Sequence, residues 1–188
     1  PASWSEAFRV IAAKVGAASP SRIGAIAGDL AAVEEMFALK DLLTRLGSKN
    51  VDCRQDSSAL DPAWGRATYI FNPGIAAIEQ ADALLIVGSN PRREAAVLNA
   101  RIRKRWRAGP VAIGLIGERA DLTYPYQYLG AGPDSLADLA AGRGDFADRV
   151  KKAARPIVLL GAGATARADG AAIASLAAKA AVELGAVK

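Results

Sequence analysis

One turn in the chain has the residue types that bind anions. It lies between a short apolar run and a basic helical pattern and reads Gly88-Ser89-Asn90-Pro91-Arg92-Arg93. The glycine permits a sharp backbone turn, and the proline suits the first turn of a helix. Two arginines in that first turn oppose the helix dipole. This conflict predicts that free backbone amides and guanidinium groups hold an anion, or a carboxylate from a partner. In the more common alternative, Glu94 and solvent satisfy both arginines.

A second turn has the spacing of a phosphate-binding loop. The segment from Gly161 to Ala166 matches G-x-G-x-x-A, with Gly163 as its second glycine, and it follows an apolar run. Such a turn suits a pyrophosphate at a helix N-terminus. A dinucleotide-binding unit also needs a second strand with an acidic residue about 20 residues on. Because Glu183 falls at the end of a helical pattern instead, we favour a simpler interpretation, a tight turn where helix and strand pack closely.

Other residue types restrict the chemistry further. The sequence has no histidine, which excludes a Ser-His-Asp triad, a histidine base and histidine metal ligands. Cys53 is the single cysteine, so neither an internal disulfide nor a four-cysteine zinc or iron–sulphur site can form within this sequence. Asp52, Asp56 and Asp61 flank a long polar loop and could bind a metal, but such residues more often begin turns. We therefore predict no catalytic residue and no metal ligand.

The charge and the aromatic content of the sequence indicate which classes of partner it could bind. The formal charge is +5, but aromatic residues make up 6% of the sequence and no nucleic-acid-binding motif is present, so we expect no nucleic-acid partner. The basic residues between Arg101 and Arg107 most simply form a solvated helix face, and an interface with an acidic partner is the next interpretation. No apolar run approaches the roughly 18 residues of a membrane span. The sequence lacks an initiating Met and enters a helical pattern at once, so we expect a piece of a longer protein.

Five short apolar runs alternate with helical patterns, which predicts the fold class. The runs are Ile23–Ala27, Asn50–Cys53, Leu84–Val87, Val111–Ile116 and Ile157–Leu160. Such alternation is typical of a doubly wound α/β domain with a mainly parallel sheet of about five strands and helices on both faces. We expect one domain over residues 1–188. A strand order of 2-1-3-4-5 would place the turns at Gly28 and Gly88 in one crevice, where such sheets bind ligands.

The helical patterns predict which side chains are buried. In the helix expected from about Ala31 to Leu46, Met36 and Phe37 are assigned to the core, and Asp29 is a candidate N-cap. In the helix expected after Pro91, the side chains of Leu98, Ile102 and Trp106 should face inward, and those of Arg101 and Arg105 should face outward.

Several stretches also carry a family pattern. They are Trp4–Phe8 (WSEAF), Glu34–Gly47 (EEMFALKDLLTRLG), Asn50–Asp52 (NVD) and Ile78–Pro91 (IEQADALLIVGSNP). Together they resemble the molybdopterin-oxidoreductase family. More narrowly, the stretches Ala27–Leu46, Asp52–Asp56 and Asn99–Gly109 resemble the large iron–sulphur subunits of bacterial NADH-quinone oxidoreductase, the respiratory complex I.

The resemblance has implications for cofactors. In molybdenum enzymes of this fold, the turn that matches Gly88–Pro91 helps to hold a pterin dinucleotide. The loop after the strand Asn50–Cys53 can supply a metal ligand; here it reads Arg54–Ser58 and offers only Ser57 and Ser58. The resemblance therefore implies a degenerate molybdopterin-like fold without a cofactor, and iron–sulphur clusters in the N-terminal part of the parent chain.

The resemblance also implies a setting. The parent would be part of the peripheral arm of a proton-pumping NADH:quinone oxidoreductase, on the cytoplasmic side of the bacterial inner membrane. Its partners would be other subunits of that arm, with no direct insertion into the membrane. This region would be a non-catalytic scaffold or assembly domain. The alternative is a nucleotide- or pterin-binding domain of a molybdopterin oxidoreductase.

Overall fold

The five apolar runs form parallel β-strands in the computed structural model, which describes residues 1–53, 58 and 60–187. The chain divides into two units, Pro1–Gln55 and Asp56–Lys188. Each unit has its own sheet, and every strand pair is parallel. The predicted class, parallel sheets combined with helices, is therefore confirmed.

The first unit has two helices and a small sheet. Its elements are α1 (Trp4–Ala17), a 3₁₀ turn (Pro20–Arg22), β1 (Gly24–Ile26), α2 (Val33–Arg45) and β2 (Asn50–Asp52). Helix α1 begins with a capping box, in which the Ser3 amide donates to the Glu6 carboxylate at 2.7 Å and the Glu6 amide donates to Ser3 Oγ at 3.3 Å. Strand β2 pairs with β1, and Ser48 Oγ donates to the Ile23 carbonyl at 2.6 Å beside this pair.

Two predictions for α2 are wrong. The Phe37 side chain is 71% exposed and Met36 is only partly buried, whereas Leu43 is buried. In the described part of its unit, the two strands that α2 packs against are three residues long each, and a single row of its side chains is covered. Asp29 is not the N-cap, because the helix begins after Ala32 and the Ala32 amide donates to the Glu35 carboxylate at 2.8 Å.

The second unit contains the larger sheet. Its strands are β3 (Ala83–Val87), β4 (Ala112–Ile116), β5 (Gln127–Gly130) and β6 (Pro156–Leu160), and its helices are α3 (Pro91–Glu94), α4 (Ala96–Arg107), α5 (Pro133–Ala140), α6 (Asp145–Lys151), α7 (Ala162–Thr165) and α8 (Gly170–Glu183). Short 3₁₀ turns lie at Pro62–Trp64, Arg66–Thr68 and Ile75–Gln80. Among the described residues, no helix is both long enough and apolar enough to cross a membrane.

The strand order corrects the prediction for the last three runs. The order is β5-β4-β3-β6, so β6 pairs with β3 rather than with β4. Strand β3 is buried along its whole length, which suits a central position between two neighbours. Strand β5 is not among the five predicted apolar runs and adds a fourth strand to this sheet.

Both faces of this sheet are covered. Leu85 and Val87 belong to one apolar cluster, with side chains of α5, α6 and α8, and Leu84 and Ile86 belong to the other cluster, with Ile102. The alternation along β3 sends successive side chains to opposite faces. The result is the layered arrangement that the sequence predicts for residues buried on both sides.

The helix predicted after Pro91 is broken. Ala95, with φ −147° and ψ 65°, separates α3 from α4. Within α4, Asn99 and Ile102 are buried and Leu98 is partly buried against the core, whereas Trp106, in the last turn of the helix, is 36% exposed. The inward position of Ile102 is confirmed and that of Trp106 is wrong. Arg105 is only partly exposed, because its guanidinium donates to the carbonyls of Ala81, Gly109 and Pro110.

Candidate functional site

The two glycine-containing turns of the sequence meet at one edge of the larger sheet. Gly88 follows β3 and Gly161 follows β6, and these parallel strands are neighbours. The Gly161 amide donates to the Val87 carbonyl at 2.9 Å, and the Gly88 amide donates to the Ile116 carbonyl at 2.8 Å. In open parallel sheets, this carboxyl edge is where ligands bind. The structure therefore brings both predicted sites together.

The glycines of the second turn make room for the first turn. A β-carbon on Gly161 would lie 2.6 Å from the Gly88 carbonyl oxygen, and one on Gly163 would lie 2.7 Å from the same atom. The space beside both glycines is thus filled by the backbone of the protein itself. This geometry agrees with a tight turn between closely packed elements. It also places an electronegative carbonyl oxygen where a phosphate would need donors.

In the Gly88–Arg93 turn, a carboxylate of the protein itself accepts the available hydrogen bonds. The Glu94 carboxylate accepts hydrogen bonds from Ser89 Oγ at 2.8 Å and from the Asn90 amide at 2.7 Å. The donors that the sequence offered to a ligand are therefore occupied, at least in part, by a side chain four to five residues away. In the part of the chain that the structure describes, Glu94 forms no ion pair with either arginine of the turn.

The two arginines have different environments. Arg92 Nη1 lies 2.5 Å from Asp121 Oδ2 and also donates to the Asp121 carbonyl at 3.1 Å. A hydrogen bond from the Thr123 amide and then the Arg92 side chain hold the pKa of Asp121 below its usual range. Arg93 is exposed and forms no ion pair with any described residue.

A cavity of about 300 Å³ lies beyond the carboxyl ends of the strands. Its lining includes Gly88, Asn90, Glu94, Glu118, Gly163 and Arg167. Arg167 donates to both carboxylate oxygens of Asp169, at 2.7 and 2.9 Å, so its charge is already paired. Asn90 Oδ1 is a buried atom with no hydrogen-bond partner among the described residues.

This lining does not fit the phosphates of a pterin dinucleotide, the group that the family resemblance implies. Glu94 and Glu118 would repel an anion, and Arg167, the one cation among the described residues of the lining, is paired with Asp169. The glycine turns, which would have to admit the phosphate, are packed against each other instead. The arrangement can accommodate a small neutral or cationic molecule more readily than a nucleotide.

Two of the carboxylates that the sequence analysis considered for metal binding accept hydrogen bonds from nearby backbone amides. Asp61 Oδ1 accepts a hydrogen bond from the Ala63 amide at 2.9 Å, and Asp52 Oδ1 accepts one from the Cys53 amide at 2.7 Å. Among residues 1–53, 58 and 60–187, no group of three or more potential ligands could hold a metal ion. Asp56 lies outside the described residues, as do residues 54, 55 and 57 of the loop to which the resemblance points. In that loop Ser58 accepts a hydrogen bond from Thr165 Oγ1 at 3.4 Å.

The residues after β4 belong to this edge of the sheet, although the sequence did not predict them as part of the site. Glu118, Arg119 and Asp121 lie beside the Gly88 turn because β4 is the other neighbour of β3. A signal is present, since Gly117-Glu118 is the turn expected at the carboxyl end of a strand. Parallel strands bring such turns to one edge, but the sequence does not say which strands are neighbours.

Comparison with known proteins agrees with this fold. The sequence profile of the family described as molybdopterin oxidoreductase matches residues 1–188. A chain of the formyltransferase/hydrolase complex (FhcABCD) from Methylorubrum extorquens, solved with methylofuran, is similar in structure, with a TM-score of 0.63 and 19% sequence identity. The similarity covers 98% of this chain and 56% of that one, and it concerns the fold alone.

Curated relatives are more similar in sequence. The chain is 45% identical over 175 residues to a subunit of the NADH-quinone oxidoreductase of Rickettsia felis, covering 93% of this chain and 26% of the relative. It is 42% identical over 174 residues to the mitochondrial NADH-ubiquinone oxidoreductase 78 kDa subunit of Neurospora crassa, covering 90% and 23%. The chain thus spans about a quarter of the length of these relatives. Because the family profile matches all 188 residues, the chain belongs to the molybdopterin oxidoreductase family.

Proposed function

We propose that the chain is a scaffold and assembly domain in the peripheral arm of a proton-pumping NADH:quinone oxidoreductase. The observation that carries this proposal is its identity of 40–45%, over about nine-tenths of its length, to subunits of such enzymes from a bacterium and from mitochondria. Its partners are then other subunits of that arm. Its location is the cytoplasmic side of the bacterial inner membrane.

The redox chemistry belongs elsewhere in the longer polypeptide. An iron–sulphur cluster needs about four side-chain ligands, mostly thiolates, and the sequence has one cysteine, Cys53. We infer that the clusters lie in the N-terminal part of the parent chain and that this region binds no metal, flavin or pterin. The mutual packing of the Gly88 and Gly161 turns supports this inference. The same packing argues against the alternative, a nucleotide- or pterin-binding domain.

The cofactor inference is tested on the purified 188-residue chain. We expect no stoichiometric iron or molybdenum by elemental analysis, no visible absorption band after gel filtration and no oxidation of NADH. Calorimetric titration with GTP and with NADH should give no saturable heat. Stoichiometric metal, a retained chromophore or saturable binding of either nucleotide would favour the alternative.

The assembly proposal needs the full-length subunit. A tagged full-length subunit should recover the other subunits of the arm from a detergent extract of the membrane. A variant of the full-length subunit that lacks only the 188-residue region described here should recover fewer of these subunits, while its iron content is unchanged. Equal recovery by both proteins would contradict a role of this region in assembly.

A further inference from the structure

We propose that four arginines on the second unit form a docking site for an acidic segment of a partner subunit. They are Arg92, Arg93, Arg103 and Arg119, here called the arginine cluster. The proposal rests on the proposed function, because it takes the partner to be another subunit of the same complex. It goes beyond that function by naming the surface and the chemistry of the partner.

The fold brings these arginines together from three elements. Arg92 and Arg93 lie on α3, and Arg119 follows β4; all three line one open depression with Glu118 and Asp121. Arg103 is exposed and lies one helical turn after Asn99 on α4, and Asn99 donates to the carbonyl of Leu122, the residue next to Asp121. The positive charge of Arg103 also contributes to the lowered pKa of Asp121. The cluster therefore lies on the same part of the surface as Asp121.

The positive charges exceed the negative charges of this surface. Arg92 is paired with Asp121, whereas Arg93 and Arg103 form no ion pair with any residue in the described ranges. Glu118 and Asp121 are the acidic residues that line the depression, against three arginines, and Arg103 on α4 adds a fourth positive charge close to Asp121. Exposed and unpaired guanidinium groups are well suited to bidentate contact with carboxylates.

Hydrogen bonds from α4 fix the position of the loop that carries part of this surface. Buried Asn99 donates to the Leu122 carbonyl at 3.1 Å and accepts a hydrogen bond from the Tyr124 hydroxyl at 2.8 Å, which ties the loop after β4 to α4. Within this loop, the Thr123 amide donates to Asp121 Oδ1 at 2.9 Å. Asp121 in turn holds Arg92. A partner therefore meets a largely preorganised surface, and less conformational entropy is lost on binding.

The mixture of charges favours a protein partner over a nucleic acid. Asp121 and Glu118 lie among the arginines and would repel a continuous row of phosphates. A protein segment can place a basic or neutral side chain opposite them. The Arg119 guanidinium lies over the Tyr128 ring, 4.1 Å from the ring centre. A nucleic-acid base therefore cannot stack on that face of the ring.

The test uses the tagged full-length subunit and the recovery of the other subunits of the arm. The double variant Arg93→Glu, Arg103→Glu reverses the two unpaired charges. A matched control, Arg149→Glu with Lys152→Glu, makes the same charge change on exposed side chains of the same unit that form no ion pair among the described residues. At 50 mM salt we expect the double variant to recover about tenfold less of the partner subunits, and the control to match the wild type. At 500 mM salt the difference in recovery between the wild type and the double variant should be smaller, because salt screens exposed charges.

Each result bears on one hypothesis. If the wild-type subunit itself recovers no other subunits, the proposed function fails. If wild type and the double variant recover them equally, the arginine cluster is not the docking site. If recovery is equal but a labelled 20-base-pair duplex binds the wild type and not the double variant, the site is for nucleic acid and our proposal is wrong. If the double glutamate variant unfolds at a lower temperature than the wild type, the variant Arg93→Gln, Arg103→Gln replaces it. We then expect about threefold lower recovery of the partner subunits.

Discussion

Gly88 and Ala164 approach each other so closely that a β-carbon on Gly88 would lie 2.5 Å from the β-carbon of Ala164. Gly88 also has φ +60°, a conformation that other residues adopt at a cost. The contact joins the turn after β3 to α7, which follows β6. The carboxyl edge of the sheet is therefore closed by the chain itself at this point.

The first prediction concerns this contact. Gly88→Ala should lower the free energy of unfolding by about 2–4 kcal/mol, which combines left-handed backbone strain with overpacking. Gly185→Ala is the matched control, since Gly185 has φ +73° at the end of α8 and a β-carbon placed on it would meet nothing within 4 Å; we expect a loss of about 1 kcal/mol there. Urea unfolding measures both. Equal losses of unfolding free energy in the two variants would show that the close approach to Ala164 does not affect stability.

The second prediction compares two arginines on one helix. Arg105 donates to the carbonyls of Ala81, Gly109 and Pro110 at 2.5, 3.2 and 2.8 Å, whereas Arg103 is exposed. Arg105→Ala should cost about 1.5–3 kcal/mol, because hydrogen bonds from a charged donor are lost and carbonyls are left unpaired. Arg103→Ala should change stability by less than about 0.5 kcal/mol. Similar urea midpoints for the two variants would contradict this assignment.

The third prediction is a pH dependence at the start of β3. The Asp82 carboxylate accepts hydrogen bonds from the amides of Ala154 and Arg155 at 2.7 and 2.9 Å, which join the start of β3 to the segment before β6. Partial burial alone would raise the pKa of Asp82, but hydrogen bonds, the largest from the Arg155 amide, outweigh it and lower the pKa. A lowered pKa in the folded state adds stability above the pKa of the unfolded state, and this stability is lost as the pH falls through the folded-state value.

Asp82→Asn should therefore destabilise the protein by about 1–3 kcal/mol at pH 7 and by less as the pH falls below about 4. Urea midpoints between pH 3 and pH 7 measure the difference between the variant and the wild type. Asp29→Asn is the control, because Asp29 is exposed and has no hydrogen bond or ion pair among the residues described. A constant difference between Asp82→Asn and the wild type across this range would contradict the ionic role of Asp82.

The class of fold and the chemistry of the turns follow from the residues alone. An apolar run such as Leu84–Val87 is too short for a helix, and a glycine after it sets the turn, so strand and turn follow from neighbouring residues. The close packing that we favoured at Gly161 and Gly163 also agrees with the structure. These features depend on local periodicity and backbone freedom, which a sequence records directly.

The surroundings of each turn, in contrast, depend on tertiary contacts. The placement of β6 beside β3, the exposure of Phe37 and Trp106, and the pairing of Arg92 with Asp121, 29 residues away, all depend on which elements become neighbours. Helical periodicity gives the faces of a helix but not how far neighbouring elements cover them, and apolar runs give strands but not their order. For this reason the arginine cluster could be recognised from the sequence only as separate charges.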